Sequence, residues 1–100
     1  MMKYLIWMSR ECNSLHEVAA ALKKISDEVA LLLVQDGVFM IDKGCPHSSE
    51  VTDLGLTVFA SKHHVEERGI GGRLVVKPTL VDYSEMVDLI MEQFDRVVSL

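Results

Sequence analysis

Apolar positions along the chain change period several times, and each change marks a new element. Tyr4 to Met8 is an apolar run of strand length. Beyond it, Leu15, Val18, Ala19, Leu22 and Ile25 recur at helical intervals and define one face. Ser14 followed by Glu17 forms a capping-box pattern that starts this helix at about Leu15, and Lys23 and Lys24 suit its negative pole. Val29 to Val34 is six consecutive apolar residues, which predicts a strand buried on both faces. Asp36-Gly37 ends it. A helical turn over about 38–41 is expected next, and the stretch 42–53, with Gly44, Pro46, Ser48, Ser49 and Thr52, reads as a loop with little structure of its own.

Leu56 to Ala60 gives a third strand. Ser61 is placed to cap a helix from Lys62 to about Arg68, which Gly69 stops. Pro78 divides the apolar residues Leu74 to Val76 from Thr79 to Val81, so a strand here is short or interrupted. Asp82 and Glu85 form a second capping box. The helix behind it puts Tyr83, Met86, Val87, Ile90 and Phe94 on one stripe, read as core or subunit interface, with the Tyr83 ring packed. A last short strand spans about Arg96 to Leu100. Strands alternating with helices predict an α/β three-layer sandwich, flavodoxin-like, with a mainly parallel sheet of four to five strands in a single domain over 1–100. Function in such folds collects at the carboxyl ends of the strands. That rule selects the loops Ser9 to Asn13, Gln35 to Gly37, and Ser61 to His64.

Composition narrows the function. Apolar residues make up 49% of the 100-residue chain, enough for a core and against disorder. The net charge is -5 and no basic run exists, so direct binding of nucleic acid is disfavoured. No apolar stretch approaches the ~20 residues of a membrane span, and the N-terminus lacks a signal-peptide pattern. The expectation is a cytoplasmic protein without membrane contact, its two cysteines, Cys12 and Cys45, carried as free thiols.

Three segments in register carry a family resemblance. Leu31-Leu32-Leu33-Val34-Gln35-Asp36-Gly37-Val38-Phe39 resembles the strand-and-turn signature of the TusB/DsrH family. Val65-Glu66-Glu67-Arg68-Gly69-Ile70 is similar to its helix-ending Arg-Gly step, and Val81-Asp82-Tyr83-Ser84-Glu85-Met86-Val87-Asp88-Leu89 to its entry into the last helix. The resemblance implies a DsrE/DsrF/DsrH-type (DsrEFH-like) fold and a place in a sulfur relay, toward 2-thiolation of the tRNA wobble uridine or toward dissimilatory sulfur oxidation. It implies DsrE/TusD-like and DsrF/TusC-like partner subunits, with self-association as the alternative. The sulfur-carrying cysteine of those complexes lies on the DsrE/TusD-like partner and has no counterpart to carry over here.

Among the candidate residues, Cys12 comes first. It lies in the loop after the first strand, two residues before Ser14, where the helix dipole and Arg10 would favour thiolate, the species that attacks a persulfide. Its competing reading is an inert, partly buried cysteine. Cys45, flanked by Lys43 and His47, is a second candidate acceptor but reads more naturally as an exposed loop thiol. Gln35 and Asp36 are candidate binding residues at the strand-end crevice, while Gly37 is read as structural, in a conformation that other residues resist. Adjacent His63 and His64 point apart on a helix and read as surface residues. No zinc spacing, phosphate loop or cofactor motif is present, so no metal and no cofactor are expected.

Overall fold

A computed structural model describes residues 2–100. Five strands, β1 (Lys3–Met8), β2 (Glu28–Leu33), β3 (Thr57–Ser61), β4 (Thr79–Val81) and β5 (Arg96–Ser99), form one sheet in the order β4-β3-β2-β1-β5. Every pairing is parallel. Successive strands march from β1 to β4, and β5 then returns to the far side of β1. With right-handed crossovers, that reversal sends the last helix to the opposite face of the sheet from the others.

Side-chain alternation divides the core accordingly. Ile6, Leu31 and Val58 lie side by side in register and face α1 (His16–Ile25), a 3-10 segment (Gln35–Ile41), α2 (Ser49–Asp53) and α3 (Lys62–Glu67), which supply Leu15, Ala19, Val38, Met40, Val51 and Val65. The neighbouring row, Trp7, Leu32 and Phe59, faces only α4 (Tyr83–Asp88) and the π-helical segment that extends it (Leu89–Gln93). Phe94 meets Phe59 edge-to-face, ring centroids 6.3 Å apart. β2 is buried along almost its whole length, as its unbroken apolar run predicts.

Several local expectations change. Ser14 does not cap α1: no side chain of the preceding segment does, and the cap comes from Glu50 across the fold. The stretch 42–53 contains α2, too short for periodicity to reveal. The buried face of the last helix is Met86, Leu89, Ile90 and Phe94, whereas Tyr83 is 77% and Met91 74% exposed, so the Tyr83 ring does not pack inside. Gly37 has no positive φ; that conformation falls on Gln35, at φ 49°. Gly37 is required because a Cβ there would overlap the Met8 carbonyl at the end of β1. Two capping predictions hold: Ser61 Oγ accepts from the His64 amide at 3.3 Å, and Asp82 and Glu85 bond each other's amides at 2.8 and 3.0 Å.

Candidate functional site

The carboxyl ends of the strands carry two separate constellations. The first is a thiol pair. β1 delivers Cys12 on the bend before α1, and the turn after the 3-10 segment delivers Cys45. The two are joined in a disulfide with their Cα atoms 5.8 Å apart, across 33 residues of chain. The expectation of free thiols is therefore corrected: the core positions these two loops so that the sulfurs meet. Cys45 is also not an exposed loop thiol, being only 6% exposed and part of the larger core cluster. Cys12, by contrast, is half-buried at the edge of that cluster.

The electrostatics around Cys12 differ from the sequence expectation too. Glu50 Oε1 accepts hydrogen bonds from Ser14 Oγ and from the amides of Leu15 and His16, each at 3.0 Å. Its other oxygen takes the His47 ring at 2.8 Å. Burial alone would raise the Glu50 pKa, but the bonds from His47, the Leu15 amide and Ser14 outweigh it and hold the carboxyl below its ordinary value. The positive end of α1 is thus already occupied by an anion, and His47 is committed to that anion rather than to Cys45. Arg10 is exposed and makes no side-chain bond among the described residues; with Met8, Ser9, Asn13, Ser99 and Leu100 it lines a cleft of about 500 Å³ where β1 and β5 end. This is the switch point of the sheet, where strand order reverses. Cys12 is not part of that lining.

The second constellation gathers at the ends of β2 and β3. Gln35, in its left-handed conformation, donates its amide to His64 Nδ1 at 2.8 Å. An accepting Nδ1 requires the neutral ring with its proton on Nε2. Burial, then the Arg68 cation, lowers the His64 pKa and favours that neutral form. Asp36 receives Arg68 Nε and Nη2 at 3.2 and 3.0 Å. Ser61, Lys62, His63, His64, Asp82 and Tyr83 border an adjoining hollow of about 350 Å³. The structure thus brings Gln35 and Asp36 together with His64 and Arg68, and Cys12 together with Cys45, but does not merge the two groups. The sequence reading of His64 as a surface residue is corrected, since it is partly buried and bonded to Gln35; Arg68 reads from sequence only as a helix end, and Glu50 is not singled out at all. The signal for His64 was available, since it sits in the first turn of a helix at a strand end; Glu50 gave none, because the α1 donors it serves lie more than 30 residues away.

Among the described residues, no group of three His, Cys, Asp or Glu side chains is arranged to hold a metal ion, and no helix is long and apolar enough to cross a membrane.

Comparison with known proteins agrees with this architecture. The crystal structure of the ychN protein from E. coli superposes over the full length of both chains with a TM-score of 0.79 at 18% identity. A protein of unknown function from Methanobacterium thermoautotrophicum does so with a TM-score of 0.74 at 13% identity. These likenesses establish the shared fold. At the sequence level, Protein TusB of Salmonella arizonae and of Salmonella typhimurium are each 35% identical over 86 residues, which is 86% of this chain and 90% of theirs. The family described as DsrH like protein matches residues 11–96, nearly the whole length, and the chain belongs to that family.

Proposed function

We propose that this chain is a subunit of a sulfur relay, working in the cytoplasm beside DsrE/TusD-like and DsrF/TusC-like partners, and that its reduced Cys12 carries sulfur as a persulfide. The single observation that carries the reading is the family match with its TusB relatives. Those relatives favour the branch leading to 2-thiolation of the tRNA wobble uridine over sulfur oxidation. The chain's charge of -5 favours delivery to a protein partner over contact with RNA.

In the carrier step, the Cys12 thiolate attacks the outer sulfur of a donor persulfide. A bond forms between that sulfur and Cys12 Sγ, the donor's sulfur–sulfur bond breaks, and the donor leaves as a thiolate. Cys12 is the half-buried member of the pair and lies on the bend that also presents the exposed Arg10, a cation suited to an incoming anionic persulfide. Incubating the reduced protein briefly with a cysteine desulfurase and cysteine should first add about 32 Da, one sulfur atom, and Cys12→Ser should abolish that early gain. No gain on any variant leaves the second reading, a non-catalytic module that associates with itself or with sister subunits. The exposed apolar residues of the last helix, Tyr83, Val87 and Met91, favour that one.

A further inference from the structure

We infer that Cys45 is a resolving thiol for sulfur held on Cys12, discharging it as hydrogen sulfide and closing the disulfide present in the structure. The inference rests on the carrier reading above and adds to it the fate of the sulfur when no acceptor takes it.

Three observations support it. First, the two sulfurs are already within bonding reach, because the fold holds their Cα atoms 5.8 Å apart. Second, the pair is asymmetric. Cys45 is 6% exposed within the core, while Cys12 is half-buried at its edge, so an external donor meets Cys12 first. Third, their supports differ. The Cys45 amide donates to the Asp42 carbonyl at 3.0 Å, and Asp42 is itself held by Arg73 at 3.1 Å and by the Gly44 amide at 3.0 Å. Residues 10–13 make no backbone hydrogen bond among the described residues. Cys12 is thus the arm free to meet a donor, and Cys45 the fixed post to which it returns.

The step balances without an added oxidant. The Cys45 thiolate attacks Sγ of persulfidated Cys12; a Cys45–Cys12 bond forms, the bond from Cys12 to the outer sulfur breaks, and that sulfur leaves with the electron pair as hydrosulfide. The two cysteine sulfurs are oxidised to the disulfide and the outer sulfur is reduced to sulfide. A dithiol reductant then restores both thiols, becoming a disulfide itself. Delivery to a protein acceptor and release as sulfide therefore compete for the same sulfur. A disulfide of this kind in a reducing compartment is transient and redox-active rather than a permanent staple.

The test uses the full chain, reduced and freed of reductant under anaerobic conditions, then given glutathione persulfide. Sulfide is followed by electrode and the protein by non-reducing intact mass. The wild type should release about one sulfide per chain and end about 2 Da lighter than its reduced form. Cys45→Ser should instead keep a gain of about 32 Da, with sulfide release slowed at least ~10-fold. Cys45→Ala, which leaves no hydroxyl in the core, should behave alike. A wild type that retains the persulfide, or a Cys45 variant that releases sulfide at the wild-type rate, overturns the resolving role while leaving the carrier intact. Failure of every variant to gain mass at Cys12 removes the carrier reading, and this inference with it.

Discussion

Glu50 closes the N-terminus of α1 from a different helix. Two backbone amides and a hydroxyl converge on one of its oxygens and the His47 ring on the other. Replacing it with Ala takes the acceptor from three donors at a partly exposed helix end, so Glu50→Ala should cost about 1 kcal/mol at neutral pH by urea unfolding. The cost should depend on pH in a defined direction. The folded carboxyl has a lowered pKa, so its stabilisation is fully present above the unfolded-state value and is lost as pH falls through the folded one. Wild type and Glu50→Ala should therefore converge in acid, at pH values below the ordinary glutamate range; parallel curves would show that the carboxylate charge is not what the helix end uses. The residue scale was also where the sequence misled most. Capping rules are local and place the cap in Ser14, next to the helix it would serve, whereas the acceptor comes from Glu50. Glycine's freedom assigns the left-handed conformation to Gly37, yet it falls on Gln35, whose amide is held by His64.

At the scale of elements, Gly37 joins the 3-10 segment to the end of β1. Its amide donates to Val34 at 2.9 Å while the Val34 amide donates to Met8 at 3.0 Å, so three strand-end residues sit closer together than a side chain permits. Gly37→Ala must push the segment off β1 and should cost about 3 kcal/mol; thermal melting that matches the wild type would refute the close approach. The parts of the fold legible from sequence were those with a strong internal pattern: the unbroken apolar run of β2, the period of α1, and the Asp82–Glu85 box. The illegible parts depend on partners distant in sequence. α2 is five residues long and is held by the burial of Val51. An ideal 3.6-residue period places Tyr83 and Val87 inward on the final helix. Its π-helical segment turns fewer degrees per residue, which brings Phe94 round to the side of Met86 and Leu89 and leaves Tyr83, Val87 and Met91 outside. Of the candidate site, the placement of Cys12, Gln35 and Asp36 beyond strand ends was legible in the sequence, but the pairing of Cys12 with Cys45 was not. That pairing is a product of how the β1 loop and the turn after the 3-10 segment pack on one core.

Over the whole molecule, the two faces of the sheet are unequally covered. Four helical segments shield the face of Ile6, Leu31 and Val58, whereas the face of Trp7, Leu32 and Phe59 has only α4 and its π-helical extension, and Trp7 remains half-buried. A chain of this length has little core to spare, so burying the outer stripe of that helix against another subunit would add stability the monomer lacks. The stripe repeats at i, i+4 and i+8 through Tyr83, Val87 and Met91, a spacing that suits a partner helix or sheet face. Introducing charge there separates association from folding. The double variant Val87→Glu, Met91→Glu alters no member of either core cluster and should leave urea stability of the monomer within about 1 kcal/mol. If this face is the self-association surface, light scattering coupled to gel filtration should show the wild type above its monomer mass and the double variant at it. If the wild type runs as a monomer at high concentration, self-association is excluded; co-expression with DsrE/TusD-like and DsrF/TusC-like chains then decides, because loss of the complex on the same two substitutions would assign the stripe to those partners.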